Sequence, residues 1–224
     1  MNSHLCVAGC TASVFMKNSI ALSLCLVSVL GWGQAVKADE TAPPAQVPVD
    51  VRQLARAAVS ERDSRGLPFA IVDKKRARVF VYGADGYLRG ASPILLGLAR
   101  GDASVPGIGE RRMSEIRPEE RTTPAGRFDS EPGVNLQGED IVWLDYDAAV
   151  SMHRVRTGNK VERRLERLAS TNVAEHRISY GCINVPASFY DTHVKPLFGH
   201  ARGVIYVLPE TRAARDYFKF LPRE

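Results

Sequence analysis

Beyond its first 38 residues the chain is almost free of cysteine: of four, Cys6, Cys10 and Cys25 fall in that leading stretch and only Cys182 remains. One thiol cannot form an internal disulfide, so Cys182 is a buried small hydrophobe, one half of an intermolecular bridge, or a reactive nucleophile. After the N-terminal segment the sequence has no apolar run of membrane-spanning length, so no stable membrane span is expected in the mature protein. Internal repeats are lacking as well. His153, His176, His193 and His200 show no HExxH spacing, which argues against a metallohydrolase and assigns no metal site. No basic run dominates: the net charge of +5 is dispersed along the chain. That dispersal argues against a nucleic-acid groove and fits either a solvated surface or an anionic polymer as partner.

The first residues have the pattern of an export signal. Lys17 supplies a positive start, Ile20 to Leu30 is an apolar stretch too short to anchor in a bilayer, and Val36-Lys37-Ala38 ends in the small residue a signal peptidase requires. Residues 1–38 are therefore expected to be removed, with Met16 an alternative start. Val7-Ala8-Gly9-Cys10 resembles a lipoprotein box, but no basic and apolar region precedes it, so lipidation is not expected. Residues 39–49 are rich in Ala, Pro, Thr and Gln and are assigned to a flexible tether.

The chain beyond residue 49 is long enough for one well-filled domain. Val51, Leu54, Ala55, Ala58 and Val59 recur at helical spacing, and Asp50 is placed to cap that helix within residues 50–67. The period then changes. FAIVD and RARVFVYG are β-rich runs separated by a charged Lys74-Lys75 turn, and Ala84-Asp85-Gly86 closes a hairpin into YLRGASPILLG. Residues 100–120 have no period and are assigned to a loop. IVWLDYD and AAVSMHRV give two more strands; alternation on the second puts Ser151, His153 and Val155 on one face, with Val150, Met152 and Arg154 on the other. Val161, Leu165 and Leu168 predict an amphipathic helix in a charged segment before Cys182. Pro186 opens a predicted helix through ASFYDTHVKPLFG, RGVIYVLP is a last strand, and residues 210–224 form a helical tail packed by Tyr217 and Phe218.

The chemistry-bearing residues are grouped around Cys182. Gly181 before it permits a tight turn and close approach of a substrate to the main chain. Ser179, Gly181, Cys182, Ile183 and Asn184, the upstream His153 at a strand end, and Thr123-Pro124-Ala125-Gly126-Arg127-Phe128 stand in the order found in the L,D-transpeptidase (YkuD-like) catalytic domain, which this sequence resembles over roughly residues 68–209. It departs from that pattern in two places. Tyr180 stands where the family usually has a second histidine, and the segment between His153 and Cys182 is longer than usual.

The resemblance implies a mainly β (α+β) fold, a β-sandwich or barrel-like domain with flanking helices and a helical insertion before the cysteine. It implies Cys182 as nucleophile, activated by His153, because a thiol reacts as its thiolate and needs a neighbouring base. It also implies that the Arg154 carbonyl holds the imidazole, that the backbone N–H groups of Tyr180, Gly181 and Cys182 face the oxyanion, and that Ser179 and Asn184 orient the site or touch substrate. The Thr-Pro-x-Gly-x-Phe segment is expected to be structural, with Phe128 plugging the core. The partner implied is the peptidoglycan stem peptide, attacked outside the cytoplasm in the periplasm or wall space. No cofactor is needed, since a thioester conserves the reactivity of the peptide bond. Hydrolysis of the same bond, as in an L,D-carboxypeptidase or endopeptidase, and a catalytically silent wall-binding domain fit the same residues.

Overall fold

The computed structural model describes residues 46–221. The export segment, the tether up to residue 45 and the last three residues lie outside them. No helix among the described residues is long and apolar enough to cross a membrane.

Ten strands carry the fold: β1 (Phe69–Asp73), β2 (Arg78–Tyr82), β3 (Leu88–Pro93), β4 (Leu96–Gly97), β5 (Gly126–Val134), β6 (Asp140–Asp145), β7 (Val150–Arg154), β8 (Arg177–Ser179), β9 (Ile183–Val185) and β10 (Gly203–Leu208). Eight of them form one mixed sheet in the order β3-β2-β1-β10-β5-β6-β7-β9, and β4 pairs with β8. Only β1/β10 and β7/β9 run parallel within the large sheet. Its two edges come together, because the chain leaving β3 meets β9: Leu95 and Asn184 exchange backbone hydrogen bonds of 2.8 and 2.9 Å. The sheet thus curls into an almost closed sandwich.

Burial explains the sequence pattern. β1, β2 and β10 are covered on both faces, so they appear as continuous apolar runs rather than alternating ones. Their inward residues Ala70, Val72, Val79, Val81, Ile205 and Val207 share one core with Val142, Val150, Met152, Ile183 and Val185 from the far side of the curl. Their outward residues, Phe69, Ile71, Phe80, Tyr82, Val204 and Tyr206, pack under helix α1 (Val49–Ser60) and Phe218 of the tail. There Phe69 stacks on Tyr82 with ring centroids 4.8 Å apart and meets Tyr206 edge-on at 6.0 Å.

Several local expectations are corrected. Helix α1 begins at Val49 after Pro48, so Asp50 lies in the first turn, accepting a hydrogen bond from the Val51 N–H (3.0 Å), and is not the cap. The insertion is a 3-10 turn, Lys160–Glu162, followed by the short helix α2 (Arg164–Ala169). Arg163 between them has φ +49°, which breaks the predicted helix: Leu168 is buried while Val161 and Leu165 are exposed. After Pro186 the helix is composite, with α3 (Ala187–Phe189), a π-turn over Tyr190–Val194 and α4 (Lys195–Phe198). Pro196 has no N–H to donate and its ring would clash with the carbonyl four residues back, a conflict that the widened turn relieves. The tail contains helix α5 (Ala214–Tyr217).

The turn after β1 holds the main surprise. Lys74 is fully buried rather than solvated. Its ammonium donates to the carboxylate of Asp102 (2.8 Å) and the carbonyls of Thr123 (2.9 Å) and Gly101 (2.5 Å), which uses all three protons. Asp102 in turn accepts from the N–H groups of Glu210, Thr211 and Arg212, and Glu210 pairs with Arg177. Burial pushes the Asp102 carboxyl up, but the hydrogen bonds from Lys74, Thr211 and the backbone outweigh it and hold the acid well below its usual range. A carboxyl depressed on folding contributes stability above its unfolded pKa of about 4 and loses it as the pH falls further. Lys74→Met is therefore expected to cost about 3–5 kcal/mol in urea unfolding at neutral pH, by leaving a buried carboxylate unpaired, and to flatten the loss of stability below about pH 4. A change under about 1 kcal/mol would show that the cluster is not what holds this end of the sandwich.

Candidate functional site

The parallel pairing of β7 with β9 builds the site. Its register sets Met152 beside Ile183, His153 beside Asn184 and Arg154 beside Val185. One step earlier, Ser151 Oγ lies 3.6 Å from Cys182 Sγ. Alternation sends Val150 and Met152 into the core, so Ser151 and His153 share the opposite face with Cys182 and Asn184. The structure thus brings four polar side chains from two distant stretches into one patch. It forms part of the lining of a cleft of about 700 Å³ whose other walls include Ile141, Trp143, Leu136, Arg156 and Tyr180.

The loop presenting Cys182 is fixed from below. Gly181 has φ +136°, and a Cβ there would lie 2.9 Å from the Thr122 carbonyl, so only glycine fits. The Ser179 hydroxyl donates to the Cys182 carbonyl (2.7 Å) and accepts the Gly181 N–H (3.1 Å). Thr123 belongs to the segment expected to be structural. Its buried hydroxyl donates to the Gly181 carbonyl (2.8 Å) and accepts the Gly97 N–H (2.8 Å). Gly97 must be small for the same close approach, since a Cβ would stand 2.4 Å from the Arg121 carbonyl.

The electrostatics follow from these contacts. His153 Nδ1 lies 2.7 Å from the Arg154 carbonyl, which can only accept, so Nδ1 carries a proton and Nε2 is the nitrogen left for exchange with the thiol. The Arg154 side chain takes no part: it turns away to Asp140 and Asp191 and lies 4.2 Å above the Tyr190 ring. Asn184 Nδ2 is 3.2 Å from His153 Nε2. Tyr180 lines the cleft with the Arg121 guanidinium 3.9 Å over its ring. Burial pushes the Cys182 thiol up, but the hydrogen bond and charge of His153, aided by hydrogen bonds from Ser151, bring it below its ordinary value. Two contributors escaped sequence reasoning. Alternation puts Ser151 on the face of His153, but only the β7/β9 pairing reveals its contact with Cys182; Arg164 reaches the Asn184 side-chain oxygen from the insertion.

Fold and site together define a curled β-sandwich domain in which the one thiol among the described residues is half-buried and faces an imidazole at its cleft. No protein-family model matches the sequence, and no curated protein matches it. Among solved structures the chain is similar to the helical cell shape determining protein Pgp2 from Campylobacter jejuni, at 15% identity and a TM-score of 0.42, over 72% of this chain and 57% of that one. It is similar to an Enterococcus faecium L,D-transpeptidase at 19% identity and a TM-score of 0.32, over 63% of this chain and 49% of that one. It is also similar to the catalytic domain of the E. faecium enzyme solved by NMR, at 20% identity and a TM-score of 0.34, covering 63% of this chain and 96% of that domain. The chain spans about half the length of the longer structures it matches.

The depressed thiol predicts its own titration. Alkylation of Cys182 by iodoacetamide should reach half its maximal rate below about pH 8.5, the midpoint of an unperturbed cysteine. His153→Ala should move the midpoint upward. A wild-type midpoint at or above the unperturbed value would contradict the arrangement.

Proposed function

We propose that this domain is a cysteine-dependent L,D-transpeptidase acting on peptidoglycan stem peptides in the periplasm or cell-wall space. The observation that carries the reading is the thiol of Cys182 set against Ser151 and His153 on one strand-paired face of a cleft, with the imidazole fixed through Nδ1. The sequence resemblance supplies the substrate class.

In this reading the Cys182 proton passes to His153 Nε2 and the sulfur attacks the carbonyl at the L-centre of the third stem residue. The oxyanion is received by the N–H groups of Tyr180 and Cys182. The Gly181 N–H, expected in that set, is committed to the Ser179 hydroxyl, so the set narrows to two. Each such donor is worth roughly 10²–10³ in rate. As the C–N bond breaks, the imidazolium returns its proton to the departing amine and D-alanine leaves. An acceptor amine then attacks the thioester, its proton goes to His153, and the C–S bond breaks to regenerate the thiol. Backbone donors are indifferent to the side chain at position 180, so tyrosine in place of histidine leaves this step intact.

The test is incubation of the domain with tetrapeptide muropeptides, with products read by mass spectrometry. D-alanine loss with 3-to-3 linked dimers is the expected result. Loss without dimers identifies water as acceptor and a carboxypeptidase, and unchanged muropeptides identify a silent wall-binding domain. Cys182→Ala should abolish turnover and His153→Ala should lower it by at least about 100-fold, while Tyr180→Phe keeps most of it. Persistence of thioester formation in His153→Ala and its loss in Tyr180→Phe would reverse the assigned roles.

A further inference from the structure

We infer that Arg164, on the inserted segment, is the residue that binds the free carboxylate of the departing amino acid, so that the site selects stems with a free acid directly after the scissile bond. The inference rests on the proposed acyl transfer and adds to it the group that recognises the leaving residue.

Two arginines line the cleft. Arg156 is committed: one terminal nitrogen donates to both Glu139 (2.8 Å) and Gln137 (2.9 Å), and its side chain is 44% exposed. Arg164 is more enclosed and less completely used. Its side chain is 14% exposed, Nε donates to Glu162, and Nη1 donates to the side-chain oxygen of the fully buried Asn184. Nη2 has no acceptor among the described residues and is not sealed from solvent, so its N–H groups remain for a ligand. A guanidinium already clamped by two partners loses little freedom on taking a third.

The spacing suits the leaving residue. Asn184 stands between imidazole and guanidinium, with Nδ2 3.2 Å from His153 Nε2 and its oxygen on Arg164 Nη1. One carboxamide and two hydrogen bonds put Nη1 within about 8 Å of Nε2. In the proposed reaction the departing nitrogen takes its proton from Nε2, at about 3 Å. Its own carboxylate oxygens lie about 3 Å further on, and a charge-assisted hydrogen bond covers about 3 Å more. A single α-amino acid therefore bridges the two groups. Before cleavage that carboxylate is the one charge the leaving residue brings, and entering a partly dry cleft without a cation would cost it solvation.

The test compares ligands on protein that cannot turn them over. Cys182→Ala domain is titrated by calorimetry with a tetrapeptide stem ending in D-alanine and with the same stem ending in D-alaninamide. The acid should bind about 10-fold or more tightly than the amide. Adding Arg164→Met should bring the two within about 2-fold by weakening the acid alone, and Arg164→Lys should keep part of the preference, since the charge stays while the planar fork is lost. Arg156→Met should leave the preference in place. Equal affinity for acid and amide with Arg164 present overturns the proposal, as does a preference that survives Arg164→Met or vanishes in Arg156→Met. A parallel loss of both ligands in Arg164→Met identifies a residue that merely holds Asn184, and binding of neither ligand to the parent protein also overturns it. Circular dichroism of each variant establishes that the fold is kept. Wild-type protein that prefers the acid but forms no thioester would sink the proposed function and leave this recognition standing, so the two failures are distinguishable.

Discussion

Everything at the site depends on three residue pairs of parallel β-ladder. Where β7 meets β9, a strand ending in His153-Arg154 is locked in register with a strand that begins one residue after Cys182. The period of two does the rest. It buries Val150, Met152, Ile183 and Val185 in the common core and leaves Ser151, His153, Cys182 and Asn184 on the open face. A one-residue slip would exchange the two sets, placing a thiol and an imidazole in hydrocarbon and valines in the cleft. The hydrophobic core thus fixes the chemistry by fixing the register, and the Leu95–Asn184 bridge pins β9 from its other side.

The support beneath that ladder is polar and non-local. The Thr123 hydroxyl joins the backbone at Gly97 to the backbone at Gly181, and the Thr123 carbonyl receives the buried Lys74 ammonium. Lys74 reaches Asp102, and Asp102 holds the chain at Glu210–Arg212. The loop that carries the cysteine therefore leans on a buried ionic cluster tying four separate segments together. Breaking one member of such a cluster is costly because its partners keep their charge in a place that water does not reach.

Much of this was legible in the sequence because it is written in local pattern. Apolar runs at β1, β2 and β10, alternation along β7 and the glycine before Cys182 each have one physical reading, and the face assignment of His153 follows from period alone. The features that escaped sequence reasoning need partners far away in the chain. Lys74 reads as a solvated turn residue until Asp102 and Thr123 are seen around it. Asp50 reads as a cap until Pro48 is found just before the helix start. Val161 and Leu165 have helical spacing, but a left-handed Arg163 breaks the segment and leaves both exposed. Arg164 looks like one more surface arginine. Only the fold shows its guanidinium on Asn184 and, through it, on the imidazole.

The central claim is that the sulfur of Cys182 takes an acyl group from a wall peptide. Intact-protein mass spectrometry of the domain quenched in acid shortly after mixing with a tetrapeptide stem tests it most directly, with the adduct then located by peptide mapping. The account predicts a mass gain equal to the stem acyl group without its terminal D-alanine, carried on Cys182 and released by hydroxylamine. A domain that stays unmodified while substrate is consumed, or an adduct that survives in Cys182→Ala, would contradict it.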